Sequence, residues 1–253
     1  MNKFIIAILA ITFFSSVLTA QAGILSDGKI QGYVRPTTEN QTQIKPNSKK
    51  ESIFPGKKIQ KSLGTNESDF NYDWKYRKQS YEMHFENSTK LASAIYSLAL
   101  YSKDITKEIP YENFVKNVQG FHYSVSQICD WLNHNSGQLS SDECWLIGCL
   151  IYDGVVSIKN GVFTPNSKIK HVLGAAPGKK RTFALNLRHE RLHVFYDQDK
   201  NFKTKYVNKW KSLTEEQKDN EKKKLKNYNS SNEAQLIEEW AIYIAEKNKF
   251  SIK

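Results

Sequence analysis

Residues 184–197 read ALNLRHERLHVFYD, and they restrict the fold more than any other stretch. His189 and His193 stand four apart, with Glu190 beside the first. Residues i and i+4 share one face of an α-helix, so both imidazoles project from the same side, one turn apart. Leu185, Leu192, Phe195 and Tyr196 surround them with apolar surface, while Arg188 and Arg191 can face water. The chain must therefore supply a core for this helix and a partner for its ionisable groups.

A metal ion is such a partner. Two histidines at this spacing can both reach one zinc ion. The adjacent Glu190 is placed to take a proton from water rather than to ligate. A catalytic zinc ordinarily takes a third protein ligand. Four carboxylates are candidates: Glu238, Glu239 and Glu233 in the C-terminal stretch SSNEAQLIEEWAIYIAEKNKF, and Asp199, ten residues after His189. Ser230 and Glu233 also have capping-box spacing, which gives Glu233 a second role at a helix start.

Over roughly residues 181–247 the pattern resembles the zincin metallopeptidases, and within them the gluzincins. There the third ligand is a glutamate on a later helix packed against the motif helix, in several branches within E-G-x-A-x-Y. Glu238-Glu239-Trp240-Ala241-Ile242-Tyr243 is similar, with Glu239 at the glycine's place. Ala241, three residues on, lets two such helices approach closely. The resemblance implies zinc as cofactor, His189, His193 and Glu238 as its ligands, and Glu190 as the catalytic base in peptide-bond hydrolysis. Tyr196, Tyr243 and Arg188 are within sequence reach as oxyanion donors. The metzincin pattern would use Asp199, but Tyr196 occupies its glycine position. The only methionines, Met1 and Met83, lie upstream, so no methionine turn follows the site.

Two other classes remain open. Cys144-Trp145 is similar to the Cys-Trp pair of papain-like cysteine hydrolases, although Ser141-Asp142-Glu143 stand where glycines are usual. A secreted binding or adhesion module would use the basic surface, with a metal that is structural or absent.

The first residues carry Lys3, an apolar run from Phe4 to Leu18 and then Ala20-Gln21-Ala22. This reads as a secretory signal over residues 1–22. The run is shorter than the ~20 residues a span needs, so an exported chain without a membrane span is expected, periplasmic or secreted. The substrate expected is a protein or peptide outside the cytoplasm. Formal net charge is +11, to which the signal contributes only Lys3. Much of the rest is local: residues 200–226 hold ten lysines against four acids. Such a run is usually a solvated helix face. No nucleic-acid-binding signature accompanies it, and no nucleic-acid partner is expected.

Residues 23–69 are rich in polar residues and poor in large apolar ones, which predicts a flexible leader. Residues 70–253 are enough for a single domain with its own core. Periodicity predicts helices over 88–104, 121–135, from Ser140 to before Gly154, through the motif, and over 230–250. Ser140 and Glu143 form a capping-box pair. VVSIKNGVFTP predicts a hairpin turning at Asn160-Gly161. IKHVLGAA and RTFAL are short strand candidates. The expected class is α+β: a mainly helical zincin-like domain with a small antiparallel sheet before the motif helix. Three cysteines remain. Cys129 and Cys144 would lie level on an antiparallel helix pair turning near Gly137. A Cys129–Cys144 disulfide is expected, with Cys149 a buried free thiol.

Overall fold

The computed structural model describes residues 56–58, 73–135, 139–166, 168–179, 181–225, 228 and 232–253. The segment expected to be a signal lies outside them, as do Gly137 and Ser230. No helix among the described residues is long and apolar enough to cross a membrane.

The class is α+β. Among the described residues six strands occur: β1 (Gly56–Lys58), β2 (Ser80–Phe85), β3 (Gly120–Ser124), β4 (Val156–Lys159), β5 (Val162–Pro165) and β6 (His171–Ala175). The helices are α1 (Ser88–Tyr101), α2 (Tyr111–Asn117), α3 (Val125–Asn135), α4 (Ser141–Tyr152), α5 (Phe183–Gln198), α6 (Lys200–Lys211), α7 (Glu215–Lys224) and α8 (Glu233–Lys247). The main sheet has the order β1-β2-β6-β3. It is mixed rather than antiparallel, because β2 and β6 run parallel while β1 and β3 are antiparallel to their neighbours. A parallel pair needs a long crossover. Here α1 to α4 and the β4–β5 hairpin provide it. β1 also lies inside the stretch expected as a flexible leader, so those three residues are ordered against β2.

Alternation along the strands divides the core in two. Tyr81, Met83 and Phe85 of β2, Phe121 and Tyr123 of β3, and Val172 of β6 face a cluster built with α1, α3 and α4. Leu173 and Ala175 face the opposite cluster, made by α5, α6 and α8. Glu82, His122 and His171 alternate onto that second face, toward α5. This parity corrects the expected helix over 121–135: Gly120–Ser124 is strand and the helix begins at Val125. RTFAL is likewise no strand. The Thr182 hydroxyl accepts from Leu185 N and caps α5.

Other local signals match their sequence. The capping box of Ser140 and Glu143 is present. Asn160 and Gly161 take φ of 52° and 76° at the hairpin turn, the left-handed pair that such a turn requires. The lysine-rich stretch folds as α6 and α7. Phe202, Tyr206 and Trp210 form a buried stripe on α6, with Trp210 against Trp240 at 5.4 Å. α7 buries nothing and is the solvated face expected.

Two further expectations are corrected. All three cysteines are free thiols. α3 and α4 are not the antiparallel pair that a Cys129–Cys144 bridge requires: α4 packs chiefly on α1, and α3 on β5. Burial pushes Cys129 up to about 11 and Cys149 up to about 12. Burial and then Glu143 also raise Cys144, the opposite of an activated thiolate.

Arg191 does not face water. It is 2 % exposed, and its Nε and Nη2 donate to the two oxygens of Glu82 at 2.7 and 3.0 Å. Leu185, expected in the core, is 39 % exposed instead. Removing one partner of a buried ion pair costs about 3–5 kcal/mol, whereas replacing both by apolar residues is often neutral. Arg77 also approaches Glu82 at 3.6 Å, so Arg191→Met should cost about 3 kcal/mol. Glu82→Leu with Arg191→Met should recover most of that loss. Urea denaturation of both variants checks this; a single variant as stable as the parent would contradict it.

Candidate metal centre

α5 lies between the sheet and α8. Ala241, fully buried, lets α8 come close. His189 and His193 stand one turn apart on α5, and both are buried, at 9 % and 7 % exposure. The residue they share is Glu239. Its Oε2 lies 3.4 Å from His189 Nε2, and its Oε1 lies 3.6 Å from His193 Nε2. Each ring turns its other nitrogen to a different carboxylate of α8. His193 Nδ1 is 2.6 Å from Glu238 Oε1, and His189 Nδ1 is 3.3 Å from Glu246 Oε2. Arg181 fixes Glu246 through an Nη2 bond of 2.6 Å to Oε1.

Burial disfavours charge on both imidazoles, yet the carboxylates override it. His189 is raised well above its ordinary value, first through Glu239 and Glu246, and His193 up to about 9, first through Glu239. Burial likewise opposes ionisation of Glu239, but His193, His189 and Tyr228 hold it below the usual carboxylate range. The cluster is thus built around positive charge.

Glu190 sits beside this group without joining it. Its Oε1 lies against the backbone of Gly120 on β3, where a Cβ would come within 2.3 Å. A glycine is needed there for close approach, not for its φ. Burial first, then Glu239 and Glu246, push Glu190 up to about 7 against the pull of the two histidines. His189, His193, Glu190, Glu239 and Tyr243 line one cleft of about 500 Å³.

No protein-family model, curated protein or solved structure matches this chain.

Zinc bonds of about 2.0–2.1 Å in tetrahedral geometry set donor atoms roughly 3.3 Å apart. The separations of 3.4 and 3.6 Å fit that spacing. Glu239 Oε2 is also buried without a hydrogen-bond partner, an acceptor that a cation would satisfy. Two imidazoles and one carboxylate are a donor set that suits a divalent transition ion.

Glu238 belongs to a second such group, with His122 and His193, and its Oε1 lies 2.6 Å from the Nδ1 of His193. Neither Glu233 nor Asp199 joins a metal-ligand group among the described residues. Glu233 is an exposed first residue of α8, which Asn232 caps. Asp199 caps α6 and pairs with Lys75 at 3.0 Å. Among the oxyanion candidates, Tyr243 lines the cleft, its ring 5.2 Å from His189. Tyr196 is buried, and Arg188 donates to the Phe250 carbonyl. Sequence reasoning missed Glu246, one turn pair beyond Glu239 on the same face. It also missed His122, whose ring lies 5.8 Å from His193, nearly parallel to it. The alternation of Phe121 and Tyr123 was the signal that places His122 on the α5 side.

Proposed function

We propose that this chain is an exported zinc-dependent peptidase, with His189, His193 and Glu239 as the residues that hold the ion. The observation that supports it is the meeting of two Nε2 atoms on one buried carboxylate, beside a second carboxylate, Glu190, that is left to act. A bound zinc ion supplies Lewis acidity, acidifying water and polarising a carbonyl. Glu190 takes the proton of the attacking water and returns it to the leaving amine. Glu238 orients His193 through its bond to Nδ1, as an outer carboxylate does for a histidine ligand, while Glu246 stands 3.3 Å from the Nδ1 of His189 as its nearest charge partner there. Tyr243 supplies a hydroxyl donor at the cleft for the developing oxyanion.

A peptide substrate is favoured by the sheet. Among the described residues β3 is an edge strand, and its Gly120 adjoins Glu190. An edge offers unpaired backbone donors and acceptors to an extended chain. The overall positive charge adds attraction for acidic proteins or surfaces. The test is chelation: hydrolysis of an unfolded protein such as casein should stop with 1,10-phenanthroline and return when zinc is restored. Hydrolysis that persists through the chelator, or its absence from the zinc-loaded chain, would overturn the proposal.

A further inference from the structure

Four of the six histidines of this chain cluster beside the second half of α5, and the centre above uses two. The other two are a pair: His122 Nε2 on β3 and His171 Nδ1 on β6 are 2.9 Å apart. Asp197 completes the group, its Oδ2 3.6 Å from His122 Nε2. It stands four residues after His193, so α5 presents His189, His193 and Asp197 along one ridge. The three donor atoms lie within 4.8 Å of one another.

We propose that His122, His171 and Asp197 form a second site, for a divalent transition ion such as zinc. It shares no ligand with the first centre and does not depend on the hydrolase reading. The separations of 2.9 and 3.6 Å bracket the roughly 3.3 Å expected between donors on a tetrahedral zinc ion. Two imidazoles and a carboxylate suit a borderline ion rather than calcium or magnesium. The pair is buried: His171 is 2 % exposed, and its Nδ1, the atom that faces His122 Nε2, is the donor it offers to the ion. Asp197 is approached by Glu238, a second carboxylate, whose negative charge bears on it.

The placement gives the ion a task. Its ligands come from three elements: the edge strand β3, the central strand β6 and the last turn of α5. An ion there ties the edge strand to the helix that carries the first centre. His122 and Asp197 also line the same cleft, so the site is open to solvent for loading.

The experiment counts metal. The full chain, prepared without a histidine tag, is saturated with zinc, desalted and analysed by mass spectrometry of the metal. Two zinc ions per chain are expected. Asp197→Asn and His171→Ala should each hold one. Asp197 is 36 % exposed at its side chain, so its near-isosteric replacement leaves the fold intact and decides the matter if His171→Ala misfolds. Wild-type saturation at one ion or none would overturn the proposal. So would an Asp197→Asn chain that holds as many ions as the parent, which would assign the second ion to other surface groups. Loss of the second site leaves the first separately readable, because Glu239→Ala must still remove an ion.

Discussion

Glu190→Gln should lower peptide turnover by about 10²–10⁴-fold, the range that a positioned general base contributes, while metal content stays at the parent level. Glutamine keeps the shape that fits against Gly120 but cannot accept a proton. The group also predicts a pH profile. The base must be ionised to act, so kcat/KM should rise with pH through the pKa of Glu190. Burial pushes that pKa up to about 7 in the metal-free chain. A neighbouring cation favours the charged form, so the acid limb of the loaded enzyme should fall below that value. The limb should vanish in the glutamine variant. Turnover and bound zinc measured on the same preparation check this. A variant with parental turnover, or one that has lost its zinc, would contradict the role.

Glu239→Ala should weaken zinc binding more than Glu238→Ala or Glu246→Ala. Outer partners of a metal-bound histidine typically contribute 10–100-fold in affinity, and Glu238 and Glu246 are placed as such partners. Glu239 meets both Nε2 atoms; as the proposed ligand, its loss should exceed that range. Competition with a fluorescent zinc chelator gives the three affinities. If Glu238→Ala proved the most damaging, Glu238 would take the place of Glu239 as the ligand.

The difference between these two neighbours shows what the sequence could carry. Adjacent residues on a helix differ by about 100° of rotation, and the stretch LIEEWAIYIAE contains both. The phase was nevertheless present: Leu236, Glu239 and Trp240 share the i, i+3, i+4 stripe that turns inward, and all three are buried. Glu238 falls off that stripe. The motif helix, the capping box at Ser140 and the Asn160-Gly161 turn were legible because each is decided within a few residues. Arg191 was not, since its partner Glu82 lies 109 residues away in the chain. The assignment of Phe121 to Tyr123 failed for a related reason. A short apolar alternation beside a true helix fits either period until the sheet that receives it is known. The supposed disulfide failed at the same level: levels along two helices decide nothing unless the helices pack together.

The most direct test of the centre is anomalous diffraction at the zinc absorption edge from crystals grown with zinc. The peak should lie about 2.0–2.2 Å from His189 Nε2, His193 Nε2 and an oxygen of Glu239, with Glu190 nearby but unbonded. A peak ligated by Glu238 instead of Glu239, or no peak between the two histidines, would contradict the account.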